Sequence, residues 1–292
     1  QHAQGKTDYV LIFDADDRFE GNFVLPEELT SDRYYLRMAN SVSGANVYFR
    51  TLMFRNDDSF YWRGVLHEFV EQRKKTIVEQ KIFGDYYVIS GRFGARSNNP
   101  QKYFQDAQVL EKAFYSPEDE DLKDRYAFYT AQSYRDADMP EKAIEWYAKR
   151  ANLGGWYEEV YYSLLQIALL KIELNASLNE IQNLLLATYE YRPQRAESLY
   201  HLARQLRYHN KARLAYIYAT VAANIPLSKD ILFVDHAVYE WKAKEELAMS
   251  ANSVGNYQLC HDLCVELLFN PAVPEPNRKL LLDNLKLAKE HL

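Results

Sequence analysis

A chain of 292 residues has room for two domains at about 150 residues each. Its 48% hydrophobic content, with only 10 Gly and 9 Pro, excludes collagen-like, linker-like and disordered chains. Lys and Arg number 35 against 41 Asp and Glu, a net charge of -6, so the positive field that draws polyphosphate backbones is absent and no nucleic-acid partner is expected.

The start, QHAQGKTDY, has neither a charged leader region nor an apolar one, and no window reaches the roughly 18 apolar residues of a membrane span. Residues 9–13, Tyr-Val-Leu-Ile-Phe, are a short apolar run that reads as a strand buried on both faces and ends in Asp14-Ala15-Asp16-Asp17. Further β-like runs follow at 33–39 and 47–54, with turn chemistry at 43–46 and 55–58, and a third pair near 76–83 and 85–90. Strand signals fade after Pro100. The texture therefore places an α/β part at 1–98 and an all-α part at 99–292.

From residue 120 onward the chain repeats. A tetratricopeptide template asks for small residues at positions 8 and 20 and large apolar ones at 11 and 24, because paired helices approach only where a side chain is short. Laid from Asp124 it selects Ala131, Tyr134, Ala143 and Tyr147. Laid from Ala196 it selects Ala203, Leu206, Ala215 and Ala219, and from Trp241 it selects Ala248, Ala251, Cys260 and Cys264. A degenerate copy spans 161–193, and 274–292 reads as a capping helix. The two cysteines, the only thiols, thus fall on inward positions of a helix, away from any zinc-ligand spacing, which suits a core role in a reduced, cytoplasmic setting. The 24 tyrosines do not discriminate, since stacked repeats bury Tyr in their seams as readily as they present it to ligands.

The sharpest chemical signal is Asp14-x-Asp16 at the end of an apolar strand. Two carboxylates with open positions suit a hard divalent cation such as Mg²⁺ or Mn²⁺. An EF-hand loop is excluded because its sixth position, where Gly is needed, is Phe19. A haloacid-dehalogenase-like phosphohydrolase also begins with strand-D-x-D, but a Thr or Val usually follows where this chain has Asp17-Arg18. Downstream, Trp62, Gly64, His67 and Glu68 share one loop-like stretch. His67 is a candidate third metal ligand, Glu68 a candidate general base, and Trp62 either a sugar-stacking platform or a core residue. Arg92 and Arg96 sit on a glycine-containing stretch that suits phosphate capture or a plain polar linker.

These residues, with Gly94-Ala95-Arg96-Ser97, Pro100, Lys102-Tyr103 and the run from Arg125 to Glu159, resemble glycosyltransferase family 2, in the subgroup whose GT-A catalytic domain precedes tetratricopeptide-like repeats. The resemblance implies a partial GT-A-like mixed sheet followed by a helical-repeat solenoid. It implies metal-dependent, inverting hexosyl transfer from a nucleotide-sugar donor, a UDP-sugar, to a hydroxyl of a glycan, lipid or protein acceptor. Asp14 and Asp16 would hold the Mn²⁺ or Mg²⁺ ion and the donor diphosphate, and His67 would complete the metal site. Glu68, or else Asp17, would be the base; Arg96 would contact the donor, and Trp62, Gly64 and Arg92 the substrate. Only about a dozen residues precede Asp14, so the family's nucleotide-binding half is expected outside this sequence. The competing expectation is a tetratricopeptide-like module that binds a protein partner or a second copy, with a non-catalytic α/β remnant. The phosphohydrolase stands third.

Overall fold

The computed structural model describes residues 3, 5–39, 47–89 and 99–292, with the backbone alone at 47 and 48. The chain divides into two compact units, 1–123 and 124–292.

The first unit is built on a mixed six-stranded sheet. Its strands are β1 (Tyr9–Leu11), β2 (Arg18–Gly21), β3 (Arg33–Ala39), β4 (Val47–Arg55), β7 (Glu79–Lys81) and β8 (Tyr86–Ile89); β5 (Phe60–Arg63) and β6 (Phe69–Gln72) form a separate hairpin. The order is β1-β4-β3-β8-β2, with β7 pairing the first half of β3 in parallel. The period-two pattern of β3 decides its faces: Tyr34, Leu36 and Met38 are fully buried, while Arg33, Tyr35 and Arg37 alternate outward. Tyr34, Leu36 and Met38 join Leu52, Met53, Ile82, Tyr86 and Val88 in one core, covered by Phe13, Phe19, Phe23 and Leu29. Gly21 ends β2 at φ 81, and a Cβ there would stand 2.2 Å from the Asp85 carbonyl oxygen, so only glycine fits.

Two sequence expectations need correction in this unit. Strand β1 is not buried on both faces; it pairs only with β4 among the described strands and leaves Leu11 40% exposed. The stretch from Phe60 is not a loop either. Its three consecutive aromatic residues lie on a strand that pairs with β6, Trp62 facing Val70 across the hairpin, and only 64–68 form the turn, where Gly64 (φ 96) and His67 (φ 51) take left-handed conformations. The first helix, α1 (Lys102–Phe114), and a 3-10 turn at Glu120–Leu122 complete the unit.

The second unit is a tandem array of helical hairpins. Its helices are α2 (Lys123–Asp136), α3 (Pro140–Leu153), α4 (Tyr157–Glu173), α5 (Leu178–Tyr191), α6 (Glu197–Tyr208), α7 (Ala212–Asn224), α8 (Ala243–Ser253), α9 (Tyr257–Leu268) and α10 (Glu275–Lys289), with α8 entered through a π-helical turn at Val238–Lys242. The repeat is visible in the backbone itself. Helices α2, α4, α6 and α8 each end on a residue of left-handed conformation: Asp138 (φ 57), Asn175 (φ 54), Asn210 (φ 58) and Gly255 (φ 81). In all four, the next N–H reaches back five residues: Met139 to Tyr134, Ala176 to Lys171, Lys211 to Leu206 and Asn256 to Ala251, at 2.8–3.0 Å. This is one helix-terminating Schellman turn used four times. The second helix then starts on its own signal, Pro140 at the first turn of α3, Ser177 accepting from the Glu180 N–H in α5, and Asn256 accepting from the Leu259 N–H in α9.

The seams behave as the template requires. Ala131, Ala143, Ala203, Ala215, Ala219, Ala248, Ala251, Cys260 and Cys264 are buried, as are Tyr134, Tyr147 and Leu206. Both thiols are core groups packed with Trp241, Leu267 and Leu281, and the hydrogen bond with Cys260, reinforced by burial, pushes the Cys264 thiol upward, away from the reactive thiolate form. Among the described residues no helix is long and apolar enough to cross a membrane.

Ala203, with no exposed surface, packs with Ala219 and Leu247. Ala203→Leu is expected to destabilise the repeat unit by about 1–3 kcal/mol through overpacking, read as a lower urea midpoint at unchanged far-UV dichroism; an unchanged midpoint would show that the small residue is incidental to the seam.

Candidate functional site

The D-x-D segment is a tight turn directly after β1. Ile12 still donates to the Leu52 carbonyl at 2.7 Å, and the chain then reverses, the Asp17 N–H donating to the Asp14 carbonyl at 3.0 Å. The Asp17 carboxylate accepts from the Asp14 N–H at 3.4 Å, which commits that oxygen to closing the turn. Asp14 is exposed and Asp16 half-buried, so this turn presents two hard oxygen donors.

The hairpin tip places His67 and Glu68 in solvent, on the turn that Gly64 makes possible. Trp62 is 50% exposed, which removes the core-tryptophan alternative and leaves an open ring on the hairpin. Its neighbour Arg63 anchors the hairpin: the guanidinium donates to Glu71 at 3.0 Å, to both Asp121 oxygens at 2.7 Å and to Asp119 at 3.3 Å, and those carboxylates hold its pKa above the ordinary arginine value. Among the described residues no three His, Cys, Asp or Glu side chains converge as metal ligands, so Asp14, Asp16 and His67 are not brought together as a three-ligand set. Arg92 and Arg96 lie outside the described residues.

The densest polar constellation lies in the repeat unit, at residues the sequence reading did not single out. The first three Schellman turns are 37 and 35 positions apart, but the fourth follows after 45. The excess is a connection over 225–237, between α7 and the π-helical turn, and it is folded onto the preceding helices. Arg195, with no exposed side-chain surface, donates through Nε and Nη2 to the Glu197 carboxylate at 2.7–3.1 Å and through Nη1 to Asp230 at 3.3 Å. Asp230 also takes two bonds from Arg192, which hold its carboxyl below the ordinary aspartate range. The backbone of the connection is read directly: Glu158 Oε2 accepts from the Ile231 N–H at 2.8 Å and the Leu232 N–H at 2.7 Å, while Arg195 donates to the carbonyls of Leu232 and Phe233 at 3.4 and 3.3 Å. The Phe233 ring lies 4.8 Å from Tyr162 and stacks over Phe128 at 6.5 Å.

A related cluster marks the connection between α3 and α4. Arg150, also without exposed side-chain surface, donates to Glu159 at 2.8 Å and to the Gly154 carbonyl at 2.6 Å, yet burial raises the Glu159 pKa despite that partner. The available sequence signal for the larger cluster was spacing: template registers starting at Ala196 and Trp241 are further apart than one 34-residue repeat.

No protein-family profile matches this chain, and no curated protein does. Among solved structures it is similar to MamA, at 13% identity over 70% of this chain and 96% of that one with a TM-score of 0.42. It is also similar to BtubC from P. vanneervenii, at 17% identity over 60% and 76% with a TM-score of 0.45. A third likeness is to a kinesin-light-chain-type protein of nearly identical TPR-like repeats from Podosopora anserina, at 16% identity over 60% and 89% with a TM-score of 0.42.

The cluster makes stability depend on pH in two windows. His201 on α6 has its pKa pushed down from 6.5 to about 4 by burial, with Arg204 and Lys242 lowering it and Asp235 and Glu197 opposing. Between pH 6.5 and 4 the unfolded chain binds a proton that the folded chain refuses, so unfolding free energy is expected to fall as pH drops through that window. Asp230, depressed by Arg192, adds a second loss as pH falls below its ordinary value of 3.8. Urea unfolding from pH 8 to 3 checks both: His201→Asn should flatten the upper window only, and an identical slope in that variant would remove His201 as the cause.

Proposed function

We propose that the repeat unit is a polypeptide-binding module that grips its ligand through main-chain groups. The observation that carries this reading is the treatment of residues 230–233: two successive N–H groups bonded to one buried glutamate and two successive carbonyls bonded to one buried arginine. Bonds to main-chain groups recognise a chain whatever its side chains, and Phe128 and Tyr162 add an aromatic contact that selects among them. The exposed tyrosines and leucines elsewhere on the helices need no such reading, since single exposed apolar residues are ordinary.

Probing an array of peptides about twelve residues long with the full chain is the direct test. Binding to a subset is expected, weakened about tenfold by Tyr162→Ala and unaffected by Phe269→Ala, whose ring is 85% exposed at the end of α9. No bound peptide, or binding indifferent to Tyr162, refutes the module.

The first unit supports a second reading, glycosyl transfer from a nucleotide sugar. It rests on the exposed D-x-D turn at the carboxyl end of β1 together with the open Trp62 ring on a hairpin fixed by Arg63. Asp14 and Asp16 would meet a Mg²⁺ or Mn²⁺ ion with two hard oxygens. With no third protein ligand among the described residues, the rest of its coordination would fall to a diphosphate and water. The residues present therefore fit the ion only in part, and the reading stands on nucleotide binding. Of the two candidate bases, Glu68 is the better placed because Asp17 spends a carboxylate oxygen within its own turn. Thermal unfolding with Mn²⁺ and uridine diphosphate should show an upward shift of a few degrees that disappears in Asp14→Ala; no shift in the unsubstituted chain sinks this second reading.

A further inference from the structure

The connection over 225–237 is longer than joining two helices requires. The pairs before it are joined through Gly154-Gly155-Trp156 and through 192–196, a few residues each. The ten or so additional residues buy no large apolar burial: Ile231 is 83% exposed, Leu227 51% and Phe233 55%. They are held instead by a seat of side chains from other elements: Arg192 and Arg195 lie between α5 and α6, Glu158 in the first turn of α4, Tyr162 one turn later, and Phe128 on α2.

Two features distinguish this segment from an ordinary loop. Its anchors have the layout of a ligand: an aspartate clasped by two arginines, two residues read only through their backbone, then an aromatic ring against two rings. The second is the conformation of Phe233, which sits at φ 45, a left-handed geometry that a bulky side chain adopts only when its surroundings force it. A covalently tethered segment must accept that strain to bring both Asp230 and Phe233 into the seat before turning into the next helix. A segment free at its end need not.

We infer that this seat is a recognition site for polypeptide segments carrying an aspartate three residues before an aromatic residue, and that residues 229–235 of the chain occupy it as a resident competitor. The inference rests on the polypeptide-binding reading above and names its ligand. A partner bearing Asp-x-x-Phe enters by replacing Asp230 between Arg192 and Arg195 and Phe233 against Tyr162, while Glu158 and Arg195 take up its main-chain groups. Displacement releases the strain at Phe233, and the buried charges of the seat keep partners throughout the exchange. That matters because a buried ion without its counter-charge is strongly destabilising.

The test uses a fluorescein-labelled peptide of the sequence 226–235, Pro-Leu-Ser-Lys-Asp-Ile-Leu-Phe-Val-Asp, titrated into the full chain and followed by anisotropy. The double variant Asp230→Asn with Phe233→Ala loosens the resident segment and leaves the seat intact; it is expected to bind the peptide at least tenfold more tightly than the unsubstituted chain. The same peptide with Asn for its first Asp should lose at least tenfold against the loosened chain, and Glu158→Gln added to that chain should weaken binding similarly. Far-UV dichroism confirms folding, and Phe233→Ala alone, which removes a half-exposed ring, serves if the double variant does not fold. Equal affinity for the unsubstituted and loosened chains, or no binding to either, overturns the inference. If the peptide array still shows Tyr162-dependent binding in that case, the module stands and only the resident competitor falls; if the array is blank, both fall.

Discussion

The repeat unit is organised around a single guanidinium. Arg195 has no exposed side-chain surface, and the Born penalty for placing an unpaired charge in such a position would exceed the stability of most domains. It is tolerated because its nitrogens donate to Glu197, Asp230 and the Leu232 and Phe233 carbonyls. Glu197 in turn accepts from the Tyr239 hydroxyl at 2.9 Å and the Asp235 N–H at 3.2 Å, so the same carboxylate ties the start of α6 to the entrance of α8. Replacing such a cluster with apolar side chains of equal volume is often neutral or better in stability terms, whereas removing one partner alone leaves a buried charge uncompensated. The path of 225–237 follows from that requirement.

Around this cluster the architecture is repetitive and local. Four first helices stop in the same way, on Asp138, Asn175, Asn210 and Gly255, each a residue type that bears the left-handed conformation with least strain. The stop fixes where the second helix begins. The small residues at the seams then fix how closely it lies, since Ala131, Ala143, Ala203, Ala215 and Ala219 leave no side chain to hold the axes apart. Neither device specifies a ligand. The repetition is broken over 225–237, a connection longer than those between α3 and α4 or α5 and α6.

This division explains what could be read from the sequence. The strands at 33–39, 47–55 and 86–89, the repeat register and the burial of both cysteines rest on local periodicity, which a single sequence displays. The short strands β2, β5 and β6 are not legible, because four residues with few β-branched members carry almost no pattern. Trp62 on β5 reads as a loop residue for that reason, and the structure leaves its ring half exposed. The seat was not legible at all: Glu158 meets Ile231 across 73 positions and Arg192 meets Asp230 across 38, and no periodic signal links such partners. Only the surplus length of the connection betrayed it.

The two candidate sites differ in the kind of argument each supports. The D-x-D turn is defined by residue identity: Asp14 and Asp16 carry chemistry that many loops could imitate, and the turn is closed by the Asp17 carboxylate and the Asp14 main chain. An exposed carboxylate in a turn costs little to keep, so its presence alone says little about selection for a ligand. The seat in the repeat unit is defined by cost. Burying Arg195, Glu197 and Asp230 together and holding Phe233 at a positive φ are each unfavourable in isolation, and each persists only because the others compensate. Costs concentrated in this way, beyond those that the Arg150 cluster carries between α3 and α4, are the physical mark of a place where the fold is shaped to hold a particular chain segment.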